Sequence, residues 1–421
     1  MRLGIDVTPI QGAHRLRGIG SVIIQAMNHI DPKNSKDIVF VIYQYPDYND
    51  DEKVADILNL DPLRTEVRFV NKAPTRRGPK KVWKAIRLLQ DFLFGDSRHY
   101  DTKDIDAFLQ LDQSTSLPRT KVKKYLVAYD IIPFVLEHLY LRGYRTARNA
   151  GARRRRALKD QVRRWQYQYA LRANCRRADV ILPISEHTKK DFTRHLGVKE
   201  SKMNVITLGS INPIETEGKV VVRPFKDTGW GPFRQKEMTL ESRSYLMYVG
   251  GIDERRKLID LVAAYNNLRA RGEDIHLVLA GDILTTSHNI PNPDLFKYME
   301  YDTYMDNVHY LGFVSEEDKS RLMSNAEAVV YPSLYEGFGL PVIEAMKHGA
   351  PIICYNNSSI AEVGGDAALY AENMNDITNY VLKLRTDDNY RQSVIEKGLK
   401  QGKKFDWDRT AQEILDAVRQ D

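Results

Sequence analysis

Short apolar runs alternate with polar or helical stretches along most of the chain. The first half contains RLGIDVT, IVFVIYQ, EVRFV, DAFLQL, YLVAYDII and DVILPIS, and the second half contains YLMYVGG, IHLVLAGD, VHYLGF, AVVYPS, PIICYN and AALYA. Runs of this length predict buried strands, and strands that alternate with helices are typical of parallel α/β sheets. The sequence therefore predicts two doubly wound, Rossmann-like domains, each with a ligand crevice at the carboxyl ends of its strands.

The alternation is lost in a segment rich in proline, glycine and charge, between about residues 209 and 243. A chain of 421 residues also exceeds what one ordinary hydrophobic core supports. We therefore predict a first domain over residues 1–210, a linker and irregular loop over 211–243, a second domain over 244–395, and a C-terminal helix over 396–421 that packs back toward the first domain.

A strand, a glycine-containing loop and a helix start follow one another between residues 326 and 349. AEAVVYP is an apolar run that ends at a proline, and SLYEGFG is a loop because its two glycines tolerate backbone angles that other residues avoid. Pro341 suits the first turn of a helix, and Gly349 suits its C-terminal end. The backbone N–H groups from Phe338 to Leu340 would then point at a phosphate or a partly negative oxygen.

Two carboxylates border this bend. Glu336 lies in the predicted loop at the carboxyl edge of the sheet, and Glu344 lies one turn into the predicted helix. In one continuous helix they would share nearly one face, but the glycine bend separates them. Carboxylates accept hydrogen bonds from hydroxyl groups, and the N–H groups between them bind anions. The combination predicts a site for a sugar nucleotide.

Over residues 245–370 the chain resembles the retaining GT-B glycosyltransferases of family 4, the glycosyl transferases group 1, and the likeness is traceable over residues 1–210. SLYEGFGLPVIEAM is similar to that family's double-glutamate signature almost letter for letter. YLMYVGGIDERRKLIDLVAAY, YLGFVSEEDKSRLMSNAEAVVYPS and SSIAEVGGDAALY are similar to its surrounding segments, in the same order. The resemblance implies a GT-B fold, in which two Rossmann-like domains face each other across a cleft.

The resemblance also implies roles for single residues. Glu344 would accept hydrogen bonds from the ribose hydroxyls, and Glu336 would bind hydroxyls of the donor sugar near its anomeric centre. The family's arginine–lysine pair on the diphosphate fits Arg256 and Lys257 best, and one ungapped alignment shifts it to Arg255 and Arg256. Such cations stabilise the charge of the leaving diphosphate without a bound metal. Further donor contacts would come from Gly18 and Gly20 in RGIGSVIIQAM and from the N–H groups of Phe338, Gly339 and Leu340.

Two positions depart from the family pattern. Where members often have a histidine before the aspartate at the end of a central strand, VAYDIIP has Tyr129 followed by Asp130. Asp130 is therefore a candidate for catalysis and acceptor contact, with helix or turn capping as the equal alternative. Gly251 stands where some members carry an arginine, which leaves more of the phosphate contact to residues 255–257.

Composition narrows the class of protein further. No apolar run approaches the roughly 20 residues that span a bilayer, and MRLGIDVTPI has no signal-peptide pattern. Cys175 and Cys354 are far apart and form no ligand spacing, which argues against a disulfide framework or structural zinc. No carboxylate–histidine cluster predicts a metal. We expect a cytoplasmic protein that needs no cofactor beyond a nucleotide-sugar donor.

Much of the net charge of +7 comes from one basic, aromatic segment, Arg153–Arg177. It contains RRRR at 153–156 and, further on, Trp165, Tyr167 and Tyr169. The first interpretation is a solvated helix face. Peripheral contact with an anionic leaflet comes next, since about 1 kcal/mol per basic residue near the surface would suffice. Nucleic-acid binding comes last, because no recognition module surrounds the segment.

Taken with the resemblance, the sequence predicts a retaining hexosyltransferase of surface polysaccharide synthesis. Its donor would be GDP-mannose first and a UDP-sugar second, and its acceptor a hydroxyl of a glycan or lipid-linked glycan. One alternative is a GT-B-fold sugar-nucleotide epimerase, which should carry carboxylates and histidines placed for acid and base chemistry. The other is a non-catalytic glycan-binding protein, which turnover of a sugar nucleotide would exclude.

Overall fold

Two compact units make up the described part of the chain. The computed structural model describes residues 1–11, 18–46, 57–72, 98–140, 150–214, 220–222, 238–281, 295, 298–299 and 303–420. The first unit comprises Met1–Gly209 with Asp406–Asp421, and the second comprises Ser210–Phe405. Each unit contains a six-stranded sheet of parallel strands, so the predicted pair of Rossmann-like α/β domains is confirmed.

The first unit contains eight described strands. They are β1 (Arg2–Asp6), β2 (Val39–Gln44), β3 (Thr65–Phe69), β4 (Asn71–Lys72), β5 (Arg98–His99), β6 (Ala107–Gln110), β7 (Lys123–Ala128) and β8 (Val180–Pro183). β4 and β5 pair with each other, and the other six form the parallel sheet in the order β3-β2-β1-β6-β7-β8. β1 lies between β2 and β6, so the direction of winding reverses there and places a ligand crevice at their carboxyl ends.

Helices connect these strands. Within the described residues they are α1 (Gly18–Asn28), α2 (Ile132–Val135), α3 (Glu137–Tyr140), α4 (Ala150–Arg177) and α5 (Glu186–Leu196). The Ser185 hydroxyl accepts a hydrogen bond of 3.0 Å from the backbone N–H of Thr188 and so caps α5. Gly197 ends the helix with a φ of 70°, a left-handed conformation that glycine adopts without strain. Serine before the helix and glycine after it are the start and stop signals that its sequence carries.

The second unit repeats the architecture. Its described strands are β9 (Val220–Val222), β10 (Met238–Leu240), β11 (Tyr245–Val249), β12 (His276–Ala280), β13 (Val308–Gly312), β14 (Ala328–Tyr331), β15 (Ile352–Tyr355) and β16 (Leu369–Ala371). Six of them form the parallel sheet in the order β13-β12-β11-β14-β15-β16. Every residue of β14 and β15 is buried, as expected of strands covered on both faces.

The helices of the second unit whose bounds the structure describes are α6 (Leu258–Ala270), α7 (Glu316–Asn325), α8 (Leu340–Lys347), α9 (Ser358–Gly364), α10 (Met374–Thr386) and α11 (Asp388–Gly402). Residue 395, where we place the end of the second domain from sequence, lies inside α11. In the segment expected to be a linker and irregular loop, β9 and β10 pair antiparallel. Residues 215–219 and 223–237 of that segment lie outside the described residues.

The C-terminal helix, α12 (Trp407–Arg419), belongs to the first unit. The Thr410 hydroxyl donates a 2.6 Å hydrogen bond to the carbonyl of Thr207, and Arg419 forms an ion pair with Asp37 at 2.6 Å. A Cβ atom on Gly209 would lie 2.3 Å from the backbone nitrogen of Trp407, closer than any side chain tolerates. Glycine at position 209 therefore permits the close approach of α12 to this segment.

Candidate active site

The candidate site lies at the carboxyl edge of the second sheet. β11 is flanked by β12 on one side and β14 on the other, so the winding reverses between β11 and β14. Doubly wound sheets bind ligands in the crevice that forms at such a point. The loop after β11 meets the loop after β14 there, and the backbone N–H of Leu334 donates to the carbonyl of Arg255 at 2.7 Å.

Glu336 is the buried centre of this site, only 8% exposed. One of its carboxylate oxygens, Oε1, accepts hydrogen bonds of 2.8 Å from the hydroxyls of Ser333 and Tyr331, and a further one from Arg255. No described residue donates to the other oxygen, Oε2. The protein thus fixes the carboxylate through one oxygen and leaves the second one available for a ligand hydroxyl.

Two guanidinium groups set the charge of Glu336. Nη1 of Arg256 lies 3.6 Å from its Oε1 and donates to the Tyr331 hydroxyl, and the guanidinium lies 5.3 Å from the centroid of the Tyr331 ring. Burial disfavours the ionised carboxyl, but Arg256 and Arg255 outweigh it and hold the pKa of Glu336 below its usual range. The carboxylate is therefore ionised at neutral pH and acts as a hydrogen-bond acceptor.

Arg255 differs from Arg256 in what it binds. Nη1 of Arg255 also donates to the carbonyl of Tyr335 at 2.9 Å and to the Ser333 hydroxyl at 3.3 Å, and the residue is 7% exposed. These hydrogen bonds all go to residues of the loop after β14. The structure therefore gives Arg255 the role of holding Glu336 and its loop in place.

Lys257 joins the one-turn helix Glu254–Arg256 to α6. Its backbone is left-handed, with φ 47° and ψ 37°, an uncommon conformation for a residue other than glycine or asparagine. Within the described part of the chain, its ammonium group has no hydrogen-bond or ion-pair partner. Of the three consecutive cations at 255–257, Arg255 is held through Nη1 by Glu336, Ser333 and the Tyr335 carbonyl. Among the described residues, Nε of Arg256 has no hydrogen-bond partner, and the Lys257 ammonium has none either.

A glycine allows the loop after β11 to approach Arg256. Gly250 has a φ of 142°, and a Cβ atom there would lie 2.6 Å from Nη1 of Arg256. The next residue, Gly251, accepts a hydrogen bond at its carbonyl from the hydroxyl of Tyr248. Position 251, where some family members carry an arginine, thus belongs to a tight loop whose backbone lies close to Arg256.

The glycine loop after Glu336 is tethered through its carbonyl groups. The hydroxyl of Ser359 donates to the carbonyls of Glu336 and Phe338, both at 2.8 Å, and Ser358 accepts from the Glu336 N–H at 3.0 Å. Gly339, with φ 108°, then leads into α8. Among the described residues we find no acceptor for the backbone N–H groups of Phe338, Gly339 and Leu340, which are the predicted anion-binding groups.

Glu344 lies one turn into α8, as the sequence predicts. Its Oε1 is 2.9 Å from the ammonium nitrogen of Lys319 on α7, and its backbone carbonyl contacts Nδ1 of His348 at 2.6 Å. These contacts are distinct from the cluster of Arg255, Arg256 and Glu336. The structure therefore brings the first glutamate of the motif together with the arginines and gives the second glutamate a cation of its own.

The other predicted residues lie in the first unit. Gly18 and Gly20 fall in the first turn of α1. Asp130 follows β7, and its Oδ1 accepts a 3.0 Å hydrogen bond from the backbone N–H of Ile132, next to the start of α2. This bond closes a turn ahead of α2, whose N-cap residue is Ile131, and the catalytic or acceptor role of Asp130 stays a prediction. Tyr129 is buried, and its hydroxyl donates to the carbonyl of Leu111 at 2.8 Å.

Several site residues escape sequence reasoning. Tyr331 and Ser333 sit in YPS at the end of a strand, and Ser358 and Ser359 in NNSS before a helix, where serine reads as a cap. Lys319 sits in EEDKSR, which reads as an exposed charged helix. The one available signal is that polar residues at the carboxyl ends of neighbouring strands converge on one crevice.

The described residues carry neither a metal-ligand cluster nor a membrane-spanning helix. No group of three or more histidine, cysteine, aspartate or glutamate side chains there could hold a metal ion. No helix in the described ranges has the length and apolar character needed to cross a bilayer. The two cysteines, Cys175 and Cys354, are both buried and are not joined by a disulfide.

A known protein family matches the part of the chain that contains the double-glutamate motif, and curated relatives are similar to the chain. Residues 232–401 match the family model of the glycosyl transferases group 1, which confirms the resemblance found in the sequence over residues 245–370. Among curated proteins, the O-antigen chain mannosyltransferase B of Escherichia coli is 33% identical over 180 residues. That alignment covers 42% of this chain and 46% of the relative, so the chain spans less than half of the length of this relative.

Several solved structures resemble the whole chain. Anabaena Alr3699/HepE in complex with UDP and glucose aligns over 100% of both chains, with a TM-score of 0.61 at 13% identity. WaaG, a glycosyltransferase involved in lipopolysaccharide biosynthesis, aligns over 100% of both chains, with a TM-score of 0.61 at 14% identity. These likenesses show the fold of the chain, which is GT-B.

Proposed function

We propose that this chain, which carries a glycosyl transferases group 1 domain over residues 232–401, transfers a hexose from a nucleotide diphosphate to an acceptor hydroxyl with retention of configuration. The observation that carries the proposal is the cluster around Glu336. An ionised carboxylate with one oxygen available stands beside Arg256 and beside the backbone N–H groups of residues 338–340, which lack acceptors among the described residues. Such a set can bind sugar hydroxyls and phosphate oxygens side by side.

In the proposed reaction, the bond between the anomeric carbon and the leaving phosphate oxygen breaks while the acceptor oxygen attacks from the same face. The proton of the acceptor hydroxyl passes to the departing phosphate oxygen, so no protein nucleophile takes part. Arg256 and Lys257 stabilise the charge that grows on the diphosphate. Glu336 and the N–H groups of residues 338–340 hold the sugar, and Glu344 accepts from the ribose hydroxyls.

The proposed donor is GDP-mannose, with a UDP-sugar as the second candidate. The support is that a relative at 33% identity is named as a mannosyltransferase. HepE, which shares the fold, was solved in complex with UDP and glucose, which supports the second candidate. A ligand that binds only the folded state raises the melting temperature by mass action, so a panel of nucleotides separates the two.

We expect the melting temperature of the protein to rise more with GDP and GDP-mannose than with UDP and UDP-glucose at equal concentration. At a hundred times its Kd, a ligand stabilises the folded state by about 2.7 kcal/mol, which is an easily measured shift. Greater stabilisation by UDP would assign the donor to the uridine class. If none of these nucleotides shifts the melting temperature, the proposed function itself is wrong.

The proposed acceptor is a growing surface glycan or its lipid-linked precursor, met at an anionic membrane surface through α4. Val162, Trp165 and Tyr169 are spaced along one face of this helix and are 45%, 54% and 38% exposed. An exposed apolar face beside many arginines is the composition of a peripheral membrane contact. The side chains of Arg153–Arg156, on which the sequence prediction rests, lie outside the described residues.

Binding to vesicles should depend on charge. We expect the protein to co-sediment with vesicles rich in anionic lipid at low salt and to be released as salt rises, because charges are screened beyond about 8 Å at physiological salt. Changing Arg153–Arg156 to serine should abolish co-sedimentation and leave nucleotide binding intact. The matched control changes four exposed lysines of the second unit to serine: Lys397, Lys400, Lys403 and Lys404. Failure of the unmodified protein to bind at low salt would contradict this contact.

A further inference from the structure

Lys319 is a nearly buried cation between two carboxylates. Its ammonium nitrogen lies 2.9 Å from Oε1 of Glu344 on α8 and 2.7 Å from Oε2 of Glu316 on its own helix, α7. The side chains of Lys319 and Glu344 are each 13% exposed, whereas that of Glu316 is 53% exposed. The contact with Glu344 is therefore the buried one, and it joins the two helices.

The charge of Lys319 is secured by its partners. Burial disfavours the charged ammonium, but Glu344 and Glu316 outweigh it and raise the pKa of Lys319 above its usual value. Lys319 therefore stays charged at any pH near neutrality. A buried ion pair of this kind adds little net stability, because removing both charges from water costs about as much as their attraction returns. The ion pair therefore matters mainly for the position of the Glu344 carboxylate.

Within the part of the chain that the structure describes, no second cation contacts the Glu344 carboxylate. On α8, the ring of His348 contacts the backbone carbonyl of Glu344 through Nδ1, and its Nε2 lies 2.8 Å from the Ser320 hydroxyl. Burial lowers the pKa of His348, so its ring is neutral at pH 7. Among the described residues, Lys319 and Glu316 from α7 are thus the charged groups that face Glu344, and Lys319 is the donor to its carboxylate.

This arrangement divides the two oxygens of Glu344. Oε1 accepts from Lys319, and no described residue donates to Oε2. A carboxylate on a long side chain rotates freely in water, whereas one held through a single oxygen presents the other in a fixed direction. Glu336 is held in the same manner, through Oε1 alone, by donors of a different kind. Each glutamate of the motif is thus held through Oε1, and no described residue donates to its Oε2.

We propose that Lys319 is a positioning residue that holds Glu344 through Oε1 so that Oε2 meets the ribose diol of the donor nucleotide. The proposal rests on the proposed function, in which Glu344 binds the ribose. It adds a residue of α7 to the nucleotide site and assigns that residue to recognition of the sugar ring of the nucleotide, not of its phosphates. Lys319 acts through Glu344 and does not touch the reacting atoms.

The test compares binding of a nucleotide with and without its ribose hydroxyls. In calorimetry, Lys319→Met should weaken GDP binding about tenfold and leave the affinity for 2′,3′-dideoxy-GDP within about twofold of wild type, because the dideoxy ligand makes no bond to Glu344. Glu344→Gln should behave in the same way. The double variant should bind GDP no more weakly than Glu344→Gln alone, since the lysine acts through that carboxylate. If the protein prefers UDP, then UDP and 2′,3′-dideoxy-UDP take the same places.

Controls separate positioning from a structural role. Glu316→Gln removes the exposed partner of Lys319 and should leave GDP affinity within about twofold of wild type. Lys319→Arg keeps the cation and should retain most of the preference for GDP over its dideoxy form, and it remains informative if Lys319→Met does not fold. Equal losses for GDP and dideoxy-GDP in Lys319→Met, or full loss of the preference in Lys319→Arg, would overturn the proposal. A wild-type protein that binds neither GDP nor UDP would instead refute the proposed function.

Discussion

Replacing Glu336 by glutamine should lower kcat for sugar transfer by about a hundredfold to a thousandfold, the usual effect of removing one preorganised electrostatic group from an active site. Glutamine keeps the size of the side chain but loses the charge that faces Arg255 and Arg256. Affinity for the nucleotide diphosphate should be equal or higher, because a negative charge near the phosphates is removed. Steady-state kinetics with GDP-mannose and calorimetry with GDP measure the two effects separately.

Glu336→Gln should also reduce stability, because the buried guanidinium of Arg255 loses its counter-ion. Removing one partner of a buried ion pair costs about 3–5 kcal/mol. Burial opposes the charge of Glu336, but the two arginines hold its pKa below the usual range in the folded protein. A carboxyl group of this kind contributes stability above the pKa of the unfolded chain, about 4.3, and loses it as the pH falls through the lower folded value. The difference in unfolding free energy between wild type and variant should therefore shrink below about pH 4.

Ser333→Ala is the matched control for this result. It removes one hydrogen bond to Oε1 of Glu336 and leaves both charges in place, so it should cost about 1 kcal/mol and lower kcat by less than tenfold. Urea unfolding checks the first figure. A folded Glu336→Gln variant that turns over within tenfold of wild type would show that Glu336 does not take part in the transfer.

Much of the fold could be predicted from local sequence. The twelve apolar runs correspond to the strands of the two parallel sheets. Most of these strands are covered on both faces and are therefore continuous stretches of apolar residues. The prediction of a buried strand is wrong for β3, which lies at the edge of the first sheet and has no buried residue. The loop and helix after β14 could likewise be predicted, since Gly339 has a positive φ and Pro341 lies in the first turn of the helix. These features depend on neighbours within one turn or one strand, which a sequence displays directly.

The arrangement of the site could not be predicted in the same way. Lys319 meets Glu344 because α7 packs beside α8, and Tyr331 meets Arg256 because β14 lies next to β11. In the sequence, Lys319 is one of several charges on a polar helix, and Tyr331 is one apolar residue of a buried strand. Which charged neighbour turns inward depends on sheet order and helix packing. For the same reason, the sequence left open which two of Arg255, Arg256 and Lys257 bind phosphate.

The structure makes the choice between these cations testable. Arg255 donates hydrogen bonds to Glu336, Ser333 and the Tyr335 carbonyl, whereas Lys257 has no polar partner for its ammonium group within the described residues. The proposed phosphate-binding pair is therefore Arg256 and Lys257. A cation that binds the diphosphate contributes to the affinity for GDP and nothing to the affinity for guanosine, which carries no phosphate.

Arg256→Met and Lys257→Met should each weaken GDP binding by about tenfold to a hundredfold and leave guanosine binding unchanged, as expected for loss of a charge-assisted hydrogen bond worth about 1.5–3 kcal/mol. Arg255→Met should mainly lower the free energy of unfolding, by about 3–5 kcal/mol, because it leaves the buried Glu336 carboxylate without this counter-ion. Lys257→Met should cost less than about 0.5 kcal/mol of stability, since its ammonium group binds no described residue. Calorimetry with GDP and guanosine, together with urea unfolding of each variant, distinguishes these effects. Wild-type GDP affinity in Lys257→Met, combined with a loss in Arg256→Met, would assign the pair to Arg255 and Arg256 instead.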